Sequence, residues 1–137
     1  MFLSPALNLL IVEDSPIVRE RLVALAREYL AADSIDTANN GIDAIECFDR
    51  ASPALVTLDI SLPRLSGLEV LAHIRRRGTP AEVAVFTSSA SPEMEARCRE
   101  LGANHFFDKS KDIAPMIDVL RDLAGQTSLP DSRDLTK

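Results

Sequence analysis

The chain has 137 residues, 46% apolar and 26% charged, which suits one globular domain and excludes a disordered polypeptide. Its formal net charge of −6 argues against nucleic-acid binding, which calls for a basic face. Cys47 and Cys98 are distant and lack a C-x-x-C spacing, no run approaches the roughly 18 apolar residues of a membrane span, and Met1 to Leu7 lacks the basic flank of a signal peptide. A cytoplasmic protein with reduced thiols is expected.

The pattern alternates strand and helix five times. Asn8 to Val12 reads as a strand and ends at Glu13-Asp14. Ser15 then caps a helix with Pro16 at its first position, where a missing N–H costs nothing. Val18, Leu22, Leu25, Ala26 and Tyr29 recur at helical spacing and predict its buried stripe. A short strand from about Ile35 to Ala38 leads through Asn39-Asn40-Gly41 into a helix carrying Ile42, Ile45 and Phe48.

Leu55-Val56-Thr57-Leu58-Asp59 is the most informative stretch. A strand buried on both faces reads as a near-continuous apolar run and delivers its last residue to the carboxyl edge of the sheet. Pro63 and Gly67 turn the chain sharply, so Asp59 belongs at a rim. A helix follows from about Ser66 to Arg76, with Leu68, Leu71 and Ile74 inward. Val83 to Thr87 is the fourth strand, rich in β-branched and aromatic residues. Ser91-Pro92 opens a helix containing Met94, Cys98 and Leu101, which Gly102 closes in a left-handed conformation. His105-Phe106-Phe107 is a short last strand ending in Asp108-Lys109. The final helix, about Ile113 to Ala124, presents Met116, Ile117, Leu120 and Leu123.

Strands joined by helices of this length imply right-handed crossovers and an α/β fold: a doubly wound, five-stranded parallel sheet of flavodoxin-like order 2-1-3-4-5, with helices on both faces. In that order strands one and three flank the switch point, where ligands of open sheets bind. Glu13, Asp14 and Asp59 meet there. Three carboxylates in one cleft repel and should hold raised pKa values unless a cation relieves them. Mg²⁺ suits them, since it takes few protein carboxylates and keeps positions for water or phosphate oxygen. Thr87 and Lys109, a hydroxyl and an ammonium on neighbouring strand ends, supply what is needed to hold an anion.

With these residues in place the sequence resembles the response-regulator receiver domain of two-component signalling, over about residues 7 to 125. It is similar to the stand-alone chemotaxis type, with a polar tail from 126 to 137 and no output domain. Asp59-x-x-x-Pro63-x-x-x-Gly67, Ala38-Asn39-Asn40-Gly41 and Leu101-Gly102-Ala103 follow the family's pattern. The resemblance implies Asp59 as phosphoacceptor, Thr87 as phosphate-sensing hydroxyl and Lys109 as phosphate-binding lysine. It implies Mg²⁺ held by Asp14, Asp59 and the Ser61 backbone carbonyl, with Glu13 acting mainly through metal-bound water. Its partners would be a sensor histidine kinase or histidine phosphotransfer protein and a downstream protein target, with a homodimer possible on the same face of helix four, strand five and helix five. Phe106 stands at the switch aromatic and Ser110 where the family usually has proline. Serine there predicts a trans Lys109–Ser110 bond.

Other readings compete. A haloacid-dehalogenase-type phosphatase also uses an aspartate nucleophile with Mg²⁺, but Asp59-Ile60-Ser61 lacks its second carboxylate. A receiver-like binding module that works without phosphorylation has no need of the full acidic and basic set. A flavodoxin-like cofactor binder wants a phosphate loop after strand one, where Glu13-Asp14 would repel the anion. Cys47 and Cys98 read as small core side chains, His73 as a surface residue, His105 as a strand start, and Arg75-Arg76-Arg77 as a solvated helix end.

Overall fold

Ten elements alternate along residues 7–126, the part of the chain that the computed structural model describes. They are β1 (Asn8–Val12), α1 (Pro16–Tyr29), β2 (Ser34–Ala38), α2 (Gly41–Ala51), β3 (Leu55–Leu58), α3 (Gly67–Arg76), β4 (Glu82–Thr87), α4 (Pro92–Glu100), β5 (His105–Asp108) and α5 (Ile113–Gln126). Every strand pair is parallel and the order is β2-β1-β3-β4-β5, as the alternation predicts. The expected tail lies, beyond Gln126, outside the described residues.

The strand period of two divides the core cleanly. Leu10, Val12, Val56, Leu58, Val83 and Val85 face the side covered by α2, α3 and α4, against Phe48, Leu71, Ile74 and Cys98. Leu9, Ile11, Leu55, Ala84 and Phe86 face α1 and α5, against Leu22, Ala26, Met116 and Leu120. Both faces are filled, so the three central strands have no solvent side and little room for polar residues. All carboxyl ends point to one rim.

Local chemistry sets the element boundaries. The side chains of Ser15, Asn40 and Ser91 accept the N–H groups of Val18, Asp43 and Met94, capping α1, α2 and α4. Ser66 stands at the N-cap of α3 but makes no side-chain cap bond. Gly102 has φ +105, and a Cβ there would press on the Arg75 side chain at 2.6 Å.

Three expectations need correction. Tyr29 is 44% exposed rather than buried, because it lies at the C-terminal edge of the α1 stripe, under the Arg121 guanidinium at 5.4 Å. Cys47 is only half-buried, and its Sγ accepts from Arg50 at 3.5 Å, whereas Cys98 is fully buried as expected. Arg75 is not a solvated helix end: it bonds the Gly102 carbonyl at 2.9 Å, the Thr79 carbonyl at 3.2 Å and Asn104 Oδ1 at 2.8 Å. It ties the end of α3 to the turn before β5. His73, half-buried, bonds Asp49 across α2 and α3 at 2.9 Å.

Candidate phosphoryl-transfer site

β1 and β3 end side by side, and backbone bonds continue the ladder past both ends. Glu13 N–H donates to Ala38 O at 2.9 Å and Asp59 N–H to Val12 O at 3.1 Å. The two carboxylates are therefore placed by the sheet and not by flexible loops. Ligand oxygens of Glu13, Asp14 and Asp59 lie within 4.8 Å of one another, with Glu13 and Asp59 buried and Asp14 exposed.

The turn after Asp59 is equally constrained. Gly67 N–H donates to Ile60 O at 2.9 Å, and Ser61 N–H to Asp59 Oδ1 at 3.1 Å. A Cβ on Gly67 would collide with the main-chain carbonyl of Asp59, which explains the glycine at that spacing. Arg64 takes φ +71 between Pro63 and Leu65, a left-handed conformation uncommon outside glycine.

Lys109 extends the β4–β5 ladder through its N–H, which bonds Thr87 O at 2.9 Å. Its side chain crosses to the acidic pocket. Nζ lies 2.8 Å from Asp59 Oδ2 and 2.9 Å from Glu13 Oε1. The expected trans bond is present, since no peptide in the described residues is cis. Thr87 is fully buried at the end of β4, and its Oγ1 accepts the Ser89 N–H at 3.1 Å. Phe106 is half-buried and packs on the α2–α3–α4 side of the core.

Electrostatics follow from this packing. Burial raises the pKa of Glu13, the Lys109 and Ser15 bonds pull it back only in part, and the Asp59 charge adds to the rise. Burial opposes the charge on Lys109, but its bonds to Asp59 and Glu13 outweigh that and hold its pKa above the usual value. The lysine ammonium is thus the pocket's resident counter-ion. The rise at Glu13 is set mainly by burial, and the repulsion expected from the sequence supplies only its smallest part, through the charge of Asp59.

Ser89, Arg19 and the turn formed by Asp108 and Asp112 were not read from the sequence as parts of the site. Ser89 joins Ser61 by a hydroxyl–hydroxyl bond of 2.9 Å between the loops that follow β4 and β3. Their spacing, two beyond Asp59 and two beyond Thr87, was the available signal. Arg19 Nη1 donates to the Glu13 carbonyl at 2.9 Å. A cation in the first turns of a helix opposes the helix dipole, which hints at another partner. Asp108, which the sequence places at the end of the last strand, and Asp112 shape the turn around Lys109.

The donor set fits a hard divalent cation: three carboxylates, two buried and one open to solvent. Clustered acids, an ammonium and a buried hydroxyl at one sheet edge can together hold and neutralise a phosphoryl group.

A profile of the response regulator receiver domain matches residues 9–121. The virulence transcription regulator BvgA of Bordetella pertussis is 33% identical over 124 residues, 90% of this chain but 59% of BvgA, so the chain spans little more than half of that relative. The chemotaxis protein CheY of Listeria monocytogenes is 29% identical over 86% of this chain and 98% of its own length. The CheX–CheY–BeF3–Mg complex of Borrelia burgdorferi contains a chain that superposes with a TM-score of 0.79 at 26% identity, covering 85% of this chain and 88% of that one. On the fold, the pocket and these matches, the chain belongs to the response-regulator receiver family of two-component signalling.

Proposed function

We propose that Asp59 is the phosphoacceptor of a two-component relay and that its modification alters a protein-binding face. The observation that carries this reading is the contact of Lys109 with both Asp59 and Glu13, which gathers acid, base and hydroxyl at the ends of β1, β3, β4 and β5. The donor is a phosphohistidine on a sensor histidine kinase or a histidine phosphotransfer protein. An Asp59 carboxylate oxygen attacks phosphorus in line, the P–N bond breaks, and the imidazole leaves and takes up a proton. The product is an acyl phosphate on Asp59.

Lys109 exchanges its bond to Asp59 for one to a phosphoryl oxygen, as a mobile point charge can. Asp14, Asp59 and the Ser61 carbonyl would hold Mg²⁺, with Glu13 behind them. When bound, the cation neutralises charge that builds on the phosphoryl oxygens. Thr87 releases the Ser89 N–H and turns its hydroxyl inward, and Phe106 moves into the space it leaves. That rearrangement reaches the face of α4, β5 and α5, where a downstream protein or a second copy would dock. The Borrelia CheY chain, held in complex with CheX, BeF3 and Mg, supports a protein partner for a receiver of this type. Among the described residues no helix is long and apolar enough to cross a membrane. The site spends its chemistry on its own carboxylate, so the protein acts as a switch and not as a multiple-turnover enzyme.

Incubation with Mg²⁺ and acetyl phosphate, followed by intact-mass measurement, tests this. One added phosphoryl group is expected on the wild type and none on Asp59→Asn. An adduct that persists in Asp59→Asn, or none in the wild type, refutes the assignment.

A further inference from the structure

The turn after β5 is closed by its own polar groups, with Lys109 inside it. Asp108 N–H donates to Asp112 Oδ2 at 2.9 Å. Asp108 O accepts from Asp112 N–H at 2.8 Å and Lys111 N–H at 3.2 Å. Asp108 Oδ1 accepts both the Ser110 N–H at 2.8 Å and the Ser110 hydroxyl at 2.7 Å. Asp112 O then accepts the Met116 N–H at 3.0 Å in the first turns of α5, and Met116 is fully buried under the sheet.

The lysine backbone is therefore clamped from both sides. Thr87 fixes its N–H, and the Asp108–Ser110–Asp112 turn fixes the next three residues. An exposed turn could leave these groups to water at little loss. Here they are spent on one another around the lysine whose side chain bonds both buried carboxylates. A four-carbon stem samples many rotamers, and a fixed Cα is what favours the one that crosses to Asp59.

We propose that Asp108, Ser110 and Asp112 are positioning residues that aim Lys109 at the phosphoryl site. This rests on Asp59 as phosphoacceptor. Asp108 accepts the two bonds that set the direction of the Lys109–Ser110 segment, and Asp112 anchors that segment to α5. The serine hydroxyl contributes a bond that alanine cannot make and threonine can.

The test uses the full chain labelled in its three lysines, Lys109, Lys111 and Lys137, so that the Lys109 ammonium resonance is followed directly. Asp108→Ala should move that resonance toward those of the free lysines and weaken beryllofluoride binding in Mg²⁺ by about tenfold. Ser110→Ala should shift both readouts part of the way, and Ser110→Thr should restore them. Affinities within about twofold of wild type and an unmoved resonance for both Asp108→Ala and Ser110→Ala would overturn the proposal. Should Asp108→Ala fail to fold, the serine pair decides: alanine and threonine behaving alike overturns it. A wild type that binds no beryllofluoride, with a Lys109 resonance still displaced by Asp108→Ala, refutes the phosphoacceptor reading and leaves the positioning role standing.

Discussion

Lys109 Nζ donates to Asp59 Oδ2 at 2.8 Å, although fifty positions separate the two residues along the chain. The contact exists because β3 and β5, each one strand away from β4, end at the same rim. It also means that the pocket is not a bare acidic cluster. Any cation entering it competes with an ammonium already in place, and any phosphoryl group arriving there finds its counter-charge within one side chain's swing.

Mg²⁺ should stabilise the fold. Binding to the native state alone adds roughly 1.4 kcal/mol at ten times the dissociation constant. Asp14 is the exposed member of the carboxylate cluster and the one not bonded to Lys109, so Asp14→Asn should remove most of the gain while changing stability little without metal. Melting curves across millimolar Mg²⁺ decide this. A wild type that does not respond counts against the metal site.

Lys109→Ala should bind Mg²⁺ more tightly than the wild type, since a competing cation is gone, yet respond less to beryllofluoride. Phosphorylation of Asp59 by a small donor should continue at a reduced rate, because in the proposed function the lysine holds the phosphoryl group and Asp59 is the nucleophile. Amide spectra of both proteins saturated with beryllofluoride provide the comparison. Identical spectral changes would remove the lysine from the switch.

Phe106→Ala should alter partner binding more than the rate of phosphorylation. Its ring packs against the α2–α3–α4 side of the core. Affinity for a captured partner, measured with and without beryllofluoride, should lose its dependence on the activator. Unchanged dependence would place the switch elsewhere.

Thr57 offers a prediction about stability alone. It lies mid-strand in β3, between Ile11 and Ala84, and its hydroxyl is buried without a protein partner. Thr57→Val keeps the shape and removes the unsatisfied group, so stability should rise by about 1 kcal/mol. A raised urea midpoint with an unchanged slope is expected. A lowered midpoint would show that the hydroxyl finds a partner, such as an ordered water.

What was legible in the sequence was whatever local patterning controls. Strands buried on both faces announce themselves as apolar runs, and the residues just past them (Asp14, Asp59, Lys109) fall at one sheet edge for topological reasons alone. Ser15, Asn40 and Ser91 cap helices through bonds spanning three residues, which short-range reasoning reaches. Arg75 defeated it because its partners, Gly102 and Asn104, lie 27 and 29 positions away and are chosen by how α3 packs beside the turn before β5. The Ser61–Ser89 bond failed for the same reason, being a contact between two loops. Tyr29 shows the limit of helical periodicity: spacing predicts a stripe, but only neighbouring elements decide how far along the helix that stripe is covered.

The last prediction concerns pH. The folded-state pKa of Lys109 stands above its ordinary 10.5, so its bridge to Asp59 and Glu13 contributes stability that is fully present below that value and is lost as pH rises through the folded pKa. Glu13 behaves differently: its pKa is raised above 4.5, so its buried charge is a cost at neutrality that protonation relieves as pH falls. Lys109→Met separates the two. At neutral pH the variant should be less stable than the wild type, because it leaves Glu13 and Asp59 without their counter-ion. Above about pH 10.5 the gap should narrow, since the charge of the wild-type lysine is lost as pH rises through its folded pKa, while groups that do not touch Lys109 titrate alike in both proteins and cancel in the difference. Urea midpoints of the pair, measured in Mg²⁺-free buffer from neutral to alkaline pH, give that difference directly. A gap that stays constant through the alkaline limb would mean that Lys109 supports the fold by packing and not by charge.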